Sequence, residues 1–160
     1  MSNLLIGFQS VKSKPSLKRS IMGKVLGSEF FHCEMIFQGN IPERFSAWSD
    51  FGTGFRSLTA ESVGDLNKWI FFDLGTPYYE AALQFANSQD GKGYDLKSAV
   101  NQSLKRTVAD QYNSWYCSEV VYAALRFAGM PLLEMPASSV LPPTLYQLIE
   151  SFNYSTIAQI

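Results

Sequence analysis

The sequence predicts an α+β fold with an antiparallel sheet, and three observations lead to this prediction. Strand-like segments occupy the first half of the chain, up to Leu74, and helix-like segments follow from Pro77 onward. The length of 160 residues falls within the range of one domain, and a hydrophobic fraction of 46% is sufficient for a core. We therefore expect residues 1–160 to form a single domain.

The elements follow in order from periodicity and from turn or cap residues. Phe30–Gln38 is the clearest strand, and Gly39-Asn40 turns the chain after it. The other predicted strands are Asn3–Gln9, Glu43–Ser49, Gly54–Thr59, Lys68–Leu74 and Tyr154–Ala158. The predicted helices are Ser16–Leu26, Pro77–Asn87, Asp95 to about Val108, Trp115–Ala128 and a short helix that starts at Pro142-Pro143.

Charge and composition argue against several classes of function. The formal net charge is −1, without the basic excess typical of nucleic-acid binding. Two cysteines and one histidine are too few for a disulfide framework or a metal-ligand cluster, so we expect no metal. The start of the chain lacks the basic and long apolar regions of a signal peptide, and no membrane span is expected. These features predict a cytoplasmic or virion-associated protein.

Cys117 is the first candidate for chemistry. It begins the apolar series Cys117, Val120, Val121, Ala124, Leu125 and Ala128, which places it on the buried side of a helix, in its first turn. Unpaired N–H groups at a helix start stabilise a thiolate and can bind an oxyanion. Glu119 should lie on the opposite side and face solvent. The alternative is a small apolar core residue.

His32 is the one imidazole available as a base. Alternation along the strand places Phe30, His32, Glu34 and Ile36 on one face and turns Cys33 away from them. Glu34 is then positioned to orient the ring, as the third member of a triad does, or to bind a substrate amine. The alternative for His32 is a half-buried histidine that is hydrogen-bonded to a backbone carbonyl.

An ordered set of short motifs carries a family resemblance. They are Phe31-His32-Cys33-Glu34, the segment Phe45 to Arg56, Lys68-Trp69, Gly91 to Asp95, and Tyr116-Cys117-Ser118-Glu119. In this order the set resembles the circularly permuted branch of the NlpC-type papain-like superfamily, with its YiiX/YaeF-like proteins and their phage relatives. The resemblance implies a permuted papain-like fold, in which the helix with the nucleophilic cysteine packs against the sheet face that carries the base.

The resemblance also implies roles for individual residues. Cys117 would be the nucleophile, His32 the general base, and Glu34 the third polar residue or part of the substrate pocket. No metal or organic cofactor is implied. Cys33 and Trp48 depart from the family pattern, the first by adding a second thiol beside the base and the second by narrowing one side of the pocket.

Of three further residues, two, Tyr94 and Arg56, have two open interpretations. Tyr94 either supports an oxyanion, as a tyrosine does in related enzymes, or only packs. Asp95 is explained by a helix N-cap. Arg56 either contacts a substrate carboxylate or is structural.

The implied function is hydrolysis of an amide or peptide bond through a thioester. Bacterial cell-wall stem peptides are the expected substrate, and a phage virion- or lysis-associated peptidoglycan hydrolase, in contact with other virion proteins, is one form of it. One alternative is a Cys-dependent acyltransferase or thioesterase, with Trp48, Phe51 and Phe55 as apolar lining. Another is a catalytically silent structural or assembly protein of the same fold.

Overall fold

The computed structural model describes residues 2–10, 29–95 and 113–157. The predicted helix Ser16–Leu26, and the predicted helix after Asp95, lie outside these residues. Eight strands are present in the described part of the chain: β1 (Asn3–Ser10), β2 (Phe30–Gln38), β3 (Glu43–Trp48), β4 (Gly52–Ser57), β5 (Trp69–Gly75), β6 (Gly93–Tyr94), β7 (Ser114–Trp115) and β8 (Thr156–Ile157). The helices are α1 (Ala60–Val63), α2 (Tyr79–Gln89), α3 (Cys117–Phe127) and α4 (Pro142–Glu150).

Six strands form one sheet in the order β4-β3-β2-β1-β5-β8, and every neighbouring pair is antiparallel. The prediction of an α+β fold with an antiparallel sheet is therefore confirmed. β1 lies in the interior of the sheet, between β2 and β5. Its run of apolar residues is continuous because both faces are covered: Leu4, Ile6 and Phe8 belong to one core cluster and Leu5 to the other.

The larger core lies between one face of the sheet and the helices α2, α3 and α4. α3 contributes Val120, Val121, Ala124 and Leu125, as its predicted apolar periodicity requires. The chain turns at Gly129, which follows α3 with a φ of +85°, a conformation that favours glycine. α4 begins at Pro142, where a missing N–H costs no intrahelical hydrogen bond.

Two predictions about local structure are wrong. Trp115 does not begin the helix, because Ser114–Trp115 pairs with Gly93–Tyr94 as a short parallel ladder, and α3 starts at Cys117. Phe30 does not share a face with His32. The register shifts between Gln9 and Ser10, so that Phe31 is the extra residue of a β-bulge and Phe30 joins the larger core.

The packing of α3 also differs from the expectation. α3 packs against the sheet face that carries Cys33, Met35 and Phe37, because these residues share the larger core with it. Glu34 and Ile36 point to the other face, where Ile36 joins the smaller cluster with Trp69. The helix that carries Cys117 and the side chain of the predicted base, His32, therefore lie on opposite faces of the sheet. Within the described residues, no helix combines the length and the apolar character needed to cross a membrane.

Candidate active site

Cys117 is the first residue of α3, so it lies in the first turn as predicted, and its side chain is buried in the larger core. The preceding residue, Tyr116, is in an extended conformation and is the N-cap. Both residues also line a cleft of about 560 Å³. Cys117 is thus placed where a helix start, with its unpaired N–H groups, meets a concave surface.

The pairing of two strands ends close to the point where Cys117 and His32 line the same cleft. β2 and β3 pair from Phe37 and Glu43 only as far as Met35 and Phe45. Beyond that point, the carbonyl of Cys33 accepts a hydrogen bond from the Ser46 hydroxyl at 2.7 Å. The N–H and C=O of one strand residue point the same way, so the Cys33 N–H also faces this gap.

His32 lies beside the gap with its side chain 14% exposed. Its Nε2 atom is 3.5 Å from Oε2 of Glu34. The indole rings of Trp48 and Trp69 lie 6.0 Å and 6.1 Å from the imidazole, centroid to centroid. Like Cys117, His32 lines the cleft, so the structure brings the two predicted residues together at one surface.

The pKa values of Cys117 and His32 are shifted in opposite directions. Burial alone would lower the pKa of His32, but its interactions with Cys117 and Glu34 and the negative charge of both raise it from 6.5 to about 9. Burial alone would raise the pKa of Cys117, but hydrogen bonds with Cys33 and His32 and the charge of His32 hold it well below its usual range. A thiolate beside an imidazolium is therefore favoured.

Glu34 is completely buried, and Arg44 compensates its charge. Nη1 of Arg44 lies 3.4 Å from Oε1 and 3.3 Å from Oε2 of Glu34. Sequence reasoning did not single out Arg44. The signal was present, because alternation along the predicted strand places Arg44, Ser46 and Trp48 on one face, and a buried Glu34 requires a cation on a neighbouring strand.

Cys33 has a contact that the sequence did not predict. Its side chain points into the larger core, away from Glu34, as expected from alternation. Because α3 packs on that same face, the Cys33 thiol lies close enough to the Cys117 thiol to interact with it. Burial, followed by this interaction and the negative charge of Cys117, raises the pKa of Cys33 well above its usual value. Both cysteines are free thiols.

Two tyrosines stand beside the Cys117 thiol. Tyr94 lines the cleft and packs edge-on against Tyr116, with ring centroids 6.1 Å apart. Burial and the negative charge of Cys117 raise the pKa of both phenols. Tyr116, which sequence reasoning missed, is 1% exposed, and its hydroxyl has no hydrogen-bond partner among the described residues.

Trp48 and Arg56 form one side of the same cleft. The Arg56 guanidinium lies 4.4 Å from the centroid of the Trp48 ring, and its Nη2 atom is 3.0 Å from Oδ1 of the exposed Asp50. Phe51 and Phe55 do not line the cleft. Phe51 is 57% exposed, and Phe55 packs against the larger core on the other side of the sheet.

The expectation for Glu119 is wrong. The residue is 4% exposed, and its Oε2 atom accepts a hydrogen bond from the backbone N–H of Tyr116 at 2.7 Å. A carboxylate at the third helical position can reach back to the N-cap residue in this way. The capping geometry, and not the helical face, therefore decides where this side chain lies.

The fold and the site define an α+β protein whose cleft contains a paired thiol and imidazole. Among the described residues, no group of three or more His, Cys, Asp or Glu side chains has the arrangement of a metal site. A scan against models of known protein families and a search of curated proteins both find no match to the chain.

Proposed function

We propose that the protein is a cysteine hydrolase that cleaves an amide or peptide bond through a thioester on Cys117. The observation that carries this proposal is the contact between Cys117 and His32 at a shared cleft, with opposite shifts of their pKa values. Glu34 acts as the third residue, which orients the imidazole and stabilises its charge. Because Nε2 of His32 faces Glu34, we infer that Nδ1 faces the thiol.

The reaction requires two acyl transfers. The Cys117 thiolate attacks the carbonyl carbon, and the imidazolium of His32 gives its proton to the departing amine as the C–N bond breaks. The neutral imidazole then takes a proton from water, whose oxygen attacks the thioester and releases the acid and the thiolate. The N–H groups at the start of α3 are suitable donors to each oxyanion, with the Tyr94 hydroxyl beside them.

The fold assigned by this proposal is a permuted papain-like fold. Two features support it: the base precedes the nucleophile in the chain, and the nucleophile begins a helix that packs on an antiparallel sheet. Bacterial cell-wall stem peptides are the proposed substrate, and a phage virion- or lysis-associated peptidoglycan hydrolase is the proposed setting. The cleft offers both charge signs, from Arg56 and Asp50, to a substrate with amine and carboxylate groups.

The test is release of new amino groups from purified peptidoglycan fragments. We expect release by the parent protein and none by Cys117→Ala, whereas Cys33→Ala, which removes the other thiol but keeps the nucleophile, should retain release at a reduced rate. Iodoacetamide should label Cys117 faster than Cys33. Equal and slow labelling of both thiols, with no amine release, would indicate the structural or assembly protein instead.

Acyl transfer is the second candidate, and the Trp48 and Trp69 rings beside His32 favour it, since they suit an apolar acyl chain. Phe51 and Phe55, which were expected to extend this lining, do not line the cleft. An acyl-enzyme on Cys117 that is stable in water and turns over only with an added alcohol or amine would identify the transferase.

A further inference from the structure

Arg44 makes three separate contacts from one buried guanidinium. Nη1 approaches both carboxylate oxygens of Glu34, at 3.4 Å and 3.3 Å. Nη2 donates a hydrogen bond to the carbonyl of Ser62 at 2.6 Å. The guanidinium carbon lies 5.6 Å from the centroid of the Trp48 ring, and that ring also faces His32. Arg44 therefore joins the carboxylate behind the imidazole to two walls of the cleft.

The carboxylate of Glu34 depends on this partner. Glu34 is 0% exposed, and its polar contacts among the described residues are with Arg44 and His32. A buried carboxylate without a cation beside it retains its proton, because burial penalises the charged form. Without Arg44, nothing among these contacts balances the negative charge that attracts the His32 imidazolium. The charge on His32 thus depends on a residue with which it has no direct hydrogen bond.

The other charged groups of the cleft are placed differently. Arg56 lies opposite Arg44 in the β3–β4 register, but it pairs with Asp50 at the exposed rim. Lys68, next to β5, pairs with Asp65 at 3.3 Å. From the opposite side, α3 presents Cys117, and β2 itself contributes Cys33. Arg44 is therefore the cation held against Glu34.

The Ser62 carbonyl belongs to the segment 62–65, which forms one wall of the cleft. A second side chain holds the same segment, because Nε1 of Trp69 donates a hydrogen bond to the Val63 carbonyl at 3.3 Å. Arg44 and Trp69 thus fix this wall relative to His32. The Arg44 Nε atom is buried and has no hydrogen-bond partner among the described residues. The guanidinium therefore contacts Glu34 and Ser62 through its two terminal nitrogens.

We propose that Arg44 is a positioning residue of the site, which balances the charge of buried Glu34 and fixes its carboxylate, so that Glu34 keeps His32 charged and directed at Cys117. The inference deepens the proposed function and rests on it, since it takes Cys117 and His32 as the reacting pair. A planar guanidinium suits this role, because it contacts a carboxylate and a carbonyl at the same time.

The experiment measures the rate of Cys117 alkylation by iodoacetamide as a function of pH, with the labelled site located by mass spectrometry. In Arg44→Gln, we expect a rate at least tenfold below that of the parent at about pH 6, with recovery toward the parent rate as the pH approaches the ordinary range of a thiol, about 8.5 to 9. Lys68→Gln, which removes a cation of the same cleft without touching Glu34, should remain within about twofold of the parent at every pH.

Two further variants separate positioning from a structural role. In the cavity that Arg44→Ala leaves, added guanidinium ion should restore the rate at low pH, whereas urea, which is uncharged and of similar shape, should not. Arg44→Lys retains the charge but cannot contact Glu34 and Ser62 together, so we expect a threefold or larger loss of the alkylation rate at low pH. This variant provides the test if the other two fail to fold. Folding is checked by circular dichroism.

The outcomes distinguish this inference from the proposed function. The inference is overturned if the folded Arg44 variants alkylate as the parent does, or if the rate falls equally at every pH and guanidinium does not restore it. The proposed function fails separately, if the parent protein shows the reactive thiolate and its dependence on Arg44 but releases no amine from any peptide. If the parent releases amine and the Arg44 variants alkylate Cys117 at the parent rate, this inference is wrong and the proposed function stands.

Discussion

The imidazole of His32 lies between two negatively charged groups, the Cys117 thiolate and the Glu34 carboxylate. Their contacts raise the pKa of His32 to about 9, after the opposing effect of burial, and hold the pKa of Cys117 well below its usual range. The thiolate–imidazolium form therefore exists at pH values between the pKa of Cys117 and the pKa of His32. It is lost as the pH falls through the thiol pKa and as the pH rises through about 9.

The first prediction follows from this pH window. The activity of the parent should decline on the basic side near pH 9. In Glu34→Gln the basic limb should move to lower pH, because a contact that raises the pKa of His32 is removed. The measurement is kcat/KM against pH. Glu80→Gln removes an exposed carboxylate on α2 and is the control. Its activity should decline at the same basic pH as that of the parent. A basic limb that stays in place in Glu34→Gln contradicts the assignment.

The second prediction concerns Cys33, whose hydrogen bond is one cause of the low pKa of Cys117. Cys33→Ala should move the pKa of Cys117 upward, though not to the value of a free thiol, because His32 remains. Cys33→Ser retains a donor and should give a smaller shift. The ultraviolet absorbance of the thiolate, titrated in each variant, measures the shift. Identical titrations in the Ala, Ser and parent proteins would show that the contact does not act on Cys117.

At the scale of elements, the sequence predicted closely the positions of the main strands and helices that fall within the described residues. Phe30–Gln38 was predicted to the residue, because its alternation and the Gly39-Asn40 turn are local signals. The bulge at Phe31 and the short β6–β7 ladder were missed, because both depend on partners distant in the sequence. Which two strands separate near Cys33 is likewise a property of the sheet, so the contact of Cys33 with Cys117 could not be predicted.

The start of α3 gives the third prediction. The Glu119 carboxylate accepts the Tyr116 N–H at 2.7 Å in a buried setting, next to the nucleophile. Glu119→Ala leaves that N–H without its partner and should lower the free energy of unfolding by about 1–3 kcal/mol. Glu119→Gln retains an acceptor oxygen and should lose less. Urea unfolding measures both, with the exposed Glu134→Ala as control. Equal stability of the Ala variant and the parent would contradict the capping role.

At the scale of the whole molecule, the cleft depends on both faces of the sheet. Cys117 is fixed by the larger core, whereas Trp69 belongs to the smaller cluster on the other face. The sequence could identify Cys117, His32 and Glu34, because residue type and local period were informative. It did not identify Arg44, because the alternation that places Arg44 on one face of its strand points to Glu34 only when the partner strand and register are known.

The last prediction tests whether cleft and core unfold together. Leu125 is 0% exposed and lies two turns after Cys117 in α3, within the cluster that joins the sheet to the helices α2, α3 and α4. Leu125→Ala should lower the free energy of unfolding by about 2–5 kcal/mol through lost contacts and a cavity. Phe127→Ala, on the same helix but 55% exposed, should cost less than about 1 kcal/mol.

The measurement is urea unfolding followed by circular dichroism, which reports the helices, and by tryptophan fluorescence, to which Trp48 and Trp69 in the cleft contribute. Because one sheet joins the larger core, which holds the helices, to the smaller cluster, which holds Trp69, the two transitions should coincide in the parent and shift together in Leu125→Ala. The folded variant should alkylate Cys117 at the parent rate, since its substitution lies away from the thiol. A fluorescence transition that precedes the loss of helix would show that the cleft opens separately, and that contacts such as that of Arg44 with Ser62 are broken before the core.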